Sequence, residues 1–172
     1  TKIMLGFGCR VIGYDKYPSD AFLALGATYA QPGEIGAKAD IISLHCPLTP
    51  ETHHIVNADT LARAKRGALL INTSRGGLVD TEAAIEALKS GQLGGLAIDV
   101  YEQEADLFFR DLSNTIVTDD TFQRLLSFPN VIVTGHQAFF TEEAITTICQ
   151  TTIESVSEFA EGRPLSNEIK IG

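Results

Sequence analysis

The chain has 172 residues, 44% of them hydrophobic and 20% charged, and a formal net charge of −9. That length is enough for a core of ordinary size, and an acidic balance without a basic cluster excludes a nucleic-acid surface or an anionic-membrane patch. Cys9, Cys46 and Cys149 are far apart and form no CxxC, so they read as reduced thiols. His53-His54 has no third spaced ligand, reads as a solvated turn, and leaves no metal expected. No apolar run approaches the roughly 20 residues that a bilayer requires. Thr1–Leu5 lacks the ordered regions of a signal peptide, and a cytoplasmic location is expected.

In chain order, Thr1–Gly8 reads as the last turns of a helix with a glycine stop. Cys9–Asp15 reads as a strand ending in an acid. Pro18–Leu25 follows as a short helix with proline at its start, Thr28–Ala30 as a brief strand, and Pro32–Ala39 as a weak helix or turn. Asp40–Pro47 is a strand stopped by proline, Leu48–Asn57 a loop, and Ala58–Lys65 a helix. Ala68–Ile71 is an apolar strand running into the small-residue turn around Arg75. Asp80 caps the helix Thr81–Ser90, with Glu82 in its positive first turn and Ile85 and Leu88 facing inward. Gly95–Tyr101 is a strand, 102–120 an irregular acidic insertion, and Asp120–Leu126 a short helix. Asn130–Gly135 is a strand ending at His136. Thr141 caps the longest helix, whose Ala144, Ile145, Ile148, Ile153, Val156, Phe159 and Ala160 form a stripe.

Mostly apolar strands alternating with helices imply an α/β fold, a Rossmann-type parallel sheet with helices on both faces. In such a sheet ligands bind at strand carboxyl ends. Asp15, Cys46-Pro47, Thr73–Arg75, Asp99 and His136 all fall there. Arg75 could grip a planar carboxylate through two parallel hydrogen bonds. His136 could pass a proton to or from a substrate oxygen, and Glu104 could fix its tautomer. Asp15 suits the adenosine ribose of NAD and repels the 2′-phosphate of NADP.

Leu44–Thr52, Ile71–Gly76, Ala97–Glu104 and Thr134–Phe139 resemble the D-isomer-specific 2-hydroxyacid dehydrogenases over essentially the whole chain. Asp99-Val100-Tyr101-Glu102, the Leu107-Phe108-Phe109 insertion and Gly135–Phe139 are most similar to the fermentative D-lactate dehydrogenases within that family. The resemblance implies that Arg75 holds the substrate carboxylate, that His136 is the acid–base, and that Glu104 is its partner. It implies NAD as cofactor, with Asp15 at the adenosine ribose, Cys46 and Pro47 along the cofactor path, and Thr73, Ser74 and Asp99 at the nicotinamide end. Thr52 is a weaker cofactor candidate, and Phe139 is expected beside the substrate. The implied reaction is reduction of pyruvate to D-lactate, by a homodimer or higher homo-oligomer.

The chain departs from the family in one respect. No G-x-G-x-x-G precedes the strand ending at Asp15, because Gly6-Phe7-Gly8 comes too late and lacks a third glycine. Residues 1–140 are therefore expected to be an NAD-binding domain without its first strand and glycine-rich loop. Residues 141–172 are expected to be a long helix and tail returning toward an absent substrate domain. Such a segment should be inactive alone. Two rival readings remain: another D-2-hydroxyacid dehydrogenase, of hydroxyisocaproate or phosphoglycerate type, and a non-catalytic NAD-sensing module on the same fold.

Overall fold

The computed structural model describes residues 1–109, 111–112 and 114–170. They divide into two units, Thr1–His136 and Gln137–Gly172. In the first unit the helices are α1 (Lys2–Gly6), α2 (Asp20–Ala24), α3 (Pro32–Lys38), α4 (Ala58–Ala62), α5 (Thr81–Lys89) and α6 (Asp120–Leu126). Its strands are β1 (Ile12–Gly13), β2 (Thr28–Tyr29), β3 (Ile41–Leu44), β4 (Ala68–Asn72), β5 (Leu93–Ile98) and β6 (Val131–Val133). Every ladder is parallel, so every strand points its carboxyl end the same way as its neighbours. Strands β3-β4-β5-β6 form one sheet in chain order, and β1-β2 form a second.

Side-chain alternation decides which face of the larger sheet carries the core. Leu44, Leu70, Leu96 and Ile98 face α4, α5 and α6 and bury with Leu61, Ile85, Leu88 and Leu125. Leu70, Leu93 and Leu125 are at most 1% exposed. Burial on this scale stabilises by about 1.5–3 kcal/mol per side chain. The opposite face presents Ile41, Leu69 and Ile132, which are 48%, 42% and 66% exposed. Helix α5 starts as its sequence indicates, because the Asp80 carboxylate accepts the Ala83 N–H at 3.0 Å. Such a cap stabilises by about 1 kcal/mol.

Several boundaries differ from the sequence reading. The run from Cys9 to Asp15 is strand only at Ile12–Gly13, where it pairs with β2. Pro18 lies outside α2, whose N-cap is Ser19. β5 begins at Leu93 rather than Gly95. Gly94 lets this happen, since a Cβ there would stand 2.3 Å from the Gly67 carbonyl oxygen. The acidic insertion contains a 3₁₀ turn at Glu104–Asp106.

The second unit is built on α7 (Glu142–Ala160), capped by the Thr141 hydroxyl accepting from the Ala144 N–H at 3.2 Å. The expected apolar stripe does form on this helix, but Ile148, Ile153, Val156 and Phe159 are 50–77% exposed. Its buried residue is polar: Glu158, which accepts from the Ser166 hydroxyl at 2.6 Å and the Ser166 N–H at 2.9 Å. Among the described residues, no helix is long and apolar enough to cross a membrane.

Candidate active site

The carboxyl ends of β3, β4, β5 and β6 lie along one edge of the larger sheet and deliver Cys46, Thr73–Arg75, Asp99 and His136 to it. The turn after β4 is organised by Asn72, which is 1% exposed. Its side-chain carbonyl accepts the Ser74 N–H at 3.1 Å, and its amide donates to the Arg75 carbonyl at 2.9 Å. Both ends of one buried amide thus fix the turn. The Ser74 hydroxyl donates to the Cys46 carbonyl at 2.7 Å and ties this turn to the end of β3. Next in the chain, Gly76 lies against Tyr101, where a Cβ would come within 2.1 Å of the Tyr101 carbonyl carbon. Only glycine fits there.

Arg75 is exposed, and its Nη1 donates to the Ser74 carbonyl at 2.7 Å. Among the described residues no carboxylate pairs with it. An exposed guanidinium on a fixed turn, without an internal counter-ion, is available to an anionic ligand.

His136 lies just beyond β6 with φ at +54°, and its N–H donates to the Asp99 carbonyl at 2.7 Å. Its Nδ1 is 3.0 Å from Glu104 Oε1. The other oxygen of Glu104 accepts the Tyr101 N–H at 3.0 Å, so the carboxylate is held from both sides. The Tyr101 hydroxyl in turn donates at 2.8 Å to Asp119, the residue that caps α6. Burial, and then that carboxylate, raise the Tyr101 phenol above its ordinary range, and it stays a neutral donor. The Phe109 ring stands 5.7 Å from the imidazole.

The remaining predicted residues differ in what holds them. Asp99 is 4% exposed and accepts a short hydrogen bond from the Thr134 hydroxyl. Cys46 is half-buried, and that burial pushes its thiol up, which suits a lining group better than a nucleophile. Thr73 and Pro47 are exposed at the same edge. The Thr52 hydroxyl is occupied inside its own loop, donating to the Pro47 carbonyl and accepting from the Thr49 N–H, each at 2.7 Å. Asp15 is exposed just past β1 and accepts the Tyr17 N–H at 2.8 Å through one oxygen. An exposed acceptor at a parallel strand end fits a ribose diol. Phe139 belongs to the second unit, where it packs edge-on to Phe140 at 6.1 Å.

Sequence reasoning missed Asn72, Thr134 and Tyr101 as supports. A signal for Asn72 exists, since a polar residue closing an apolar strand is the informative exception.

Residues 1–138 match the family described as D-isomer specific 2-hydroxyacid dehydrogenase, NAD binding domain. The chain belongs to this family. Among this dehydrogenase family, 2-hydroxyacid dehydrogenase homolog 2 of Schizosaccharomyces pombe is 55% identical over 155 residues, covering 90% of this chain and 47% of the relative. The D-lactate dehydrogenase of Escherichia coli K12 is 49% identical over 168 residues, covering 98% and 51%. The solved pyruvate reductase of Chlamydomonas reinhardtii superposes with a TM-score of 0.91 at 45% identity, over 96% of this chain and 51% of that one. The chain thus spans about half the length of these dehydrogenase relatives.

Proposed function

We propose that the protein is an NAD-dependent dehydrogenase that reduces a small 2-keto acid, pyruvate first among them, to the D-2-hydroxy acid. One observation carries this reading. A histidine with its Nδ1 fixed 3.0 Å from a carboxylate shares a sheet edge with an arginine that has no carboxylate partner among the described residues.

Bound NADH supplies the hydride. Arg75 holds the substrate carboxylate through parallel N–H···O bonds, which orients the neighbouring 2-keto carbon. His136, with Nδ1 occupied by Glu104, presents Nε2 to the keto oxygen and gives it a proton as the carbon receives the hydride. In the reverse direction the same nitrogen takes the hydroxyl proton. Glu104 cannot swing away, because Tyr101 holds its second oxygen. Asp15 accepts the adenosine ribose hydroxyls and disfavours a 2′-phosphate, while Cys46 and Pro47 flank the cofactor path. Thr73, Ser74 and Asp99 serve the nicotinamide end. Thr52 contributes by shaping the loop that carries Pro47.

The test uses the full-length protein with NADH and a series of 2-keto acids: pyruvate, 2-ketoisocaproate and 3-phosphohydroxypyruvate. The expected result is the highest kcat/KM with pyruvate and a D-configured product by chiral chromatography. A higher kcat/KM with a bulkier acid would replace pyruvate as the substrate. NADH binding without turnover on any of the acids, or an L-configured product, would overturn the catalytic reading.

A further inference from the structure

The sequence presents His53-His54 as a pair with no third ligand, and the fold supplies one 48 residues further on. We propose that His53, His54 and Glu102 form a binding site for a divalent transition metal of the zinc class, distinct from the His136–Glu104–Arg75 edge. One ligand atom from each of the three lies within 4.8 Å of the others. His54 Nε2 is 2.6 Å from Glu102 Oε1, and the two imidazoles stack with centroids 3.9 Å apart.

Two imidazole nitrogens and one carboxylate oxygen suit zinc, nickel or copper, whereas magnesium and calcium take oxygen donors. Ligand bonds of about 2.0–2.2 Å place tetrahedral donors roughly 3.3–3.5 Å apart. Binding therefore requires a contraction at His53 and a slight opening of the His54–Glu102 pair. His53 can supply the contraction, since it is exposed and its ring makes no hydrogen bond among the described residues. The metal takes the place of the proton between His54 Nε2 and Glu102; a neutral imidazole keeps its one proton on Nδ1, and an imidazolium releases the second to solvent. A water fills the fourth position.

The other two ligands are already fixed. The His54 N–H donates to the Gly77 carbonyl at 2.8 Å, and Asn57 donates to the His54 carbonyl at 3.0 Å. The second oxygen of Glu102 accepts from the Thr81 hydroxyl at 2.8 Å and from the Thr81 N–H at 3.3 Å. Support of this kind behind a ligating carboxylate holds it in place for a metal.

The experiment titrates zinc into the full-length protein, free of any histidine tag, against a chromophoric chelator at neutral pH. The expected result is one zinc per chain at micromolar strength, weakened tenfold or more in His53→Asn and in Glu102→Gln and unchanged in His136→Asn. Binding should weaken as the pH falls, because protons compete with a metal for its ligands. Zinc should also raise the Tm of the wild type but not that of His53→Asn. Circular dichroism checks that Glu102→Gln is folded, and His53→Asn decides the case if it is not. Unchanged affinity in His53→Asn, or no binding at micromolar zinc, would leave only a histidine–glutamate ion pair and overturn the proposal.

Discussion

The molecule builds two histidine–glutamate pairs from almost the same parts and orients them oppositely. His136 and His54 are the only described residues other than glycine with positive φ, at +54° and +50°. Such a backbone costs about 1–2 kcal/mol, so in each case the surroundings enforce it. Their partners, Glu104 and Glu102, stand two residues apart after β5. The carboxylate meets His136 at Nδ1, the nitrogen nearer the backbone, and leaves Nε2 outward. It meets His54 at Nε2 and closes off the outer end of the ring. The first arrangement suits proton delivery, and the second suits a clamp between loops. What separates them is the ring nitrogen engaged, which residue identity does not specify.

The largest expected effect would break the pairs apart. His136→Asn in the full-length protein should lower kcat with pyruvate by roughly 10²–10⁴-fold, the usual worth of a general acid. His54→Asn should leave kcat within a few-fold and lower the Tm instead, because the clamp ties the loop before α4 to the start of α5. Steady-state kinetics and thermal unfolding on both variants check this. Equal losses of kcat would mean that the two pairs do not differ as described.

A smaller effect sharpens the role of the edge that His136 shares with Arg75. Arg75→Lys keeps the charge and loses the fork, and loss of one charge-assisted hydrogen bond of about 1.5–3 kcal/mol predicts a tenfold to hundredfold fall in kcat/KM for pyruvate. NADH affinity by calorimetry should hold. Asn72→Ala releases the turn without touching the guanidinium, and should cost about threefold to tenfold, chiefly in KM. If Asn72→Ala costs as much as Arg75→Lys, the turn does more than aim the arginine.

The sequence carried the order of the elements and the residues on the sheet edge, since parallel strands with helical crossovers bring their carboxyl ends together whatever the lengths between. Asp80 and Thr141 were legible as caps because a cap depends on a few adjacent residues. The 3₁₀ turn that presents Glu104 was not, because its shape follows from Tyr101 bonding the carboxylate. Nor was the link between His54 and Glu102, which periodicity cannot reveal across 48 residues. The stripe on α7 shows the opposite limit: pattern locates an apolar face but not what buries it, and Ile153 and Phe159 are 66% and 77% exposed.

The smallest expected effect concerns a third held carboxylate, one without a histidine, and it serves as a control for both pairs. Glu158 is held below the ordinary 4.5 of a glutamate, first by the Ser166 hydroxyl and then by the Ser166 N–H, with Arg163 adding to the same direction. A carboxylate lowered on folding binds fewer protons in the native state. Its contribution is therefore fully present above the unfolded value and fades as the pH falls through the folded one. Glu158→Gln removes that contribution at every pH. The Tm gap between wild type and variant should be widest near neutrality, narrow below about pH 4.5, and close at stronger acid. The neutral serine partner cannot titrate in this range, so one acid limb should suffice to describe the curve. A gap for Glu158→Gln that also shifts above neutrality would show that a second titrating group acts through Glu158, and the single-group account of this carboxylate would fail.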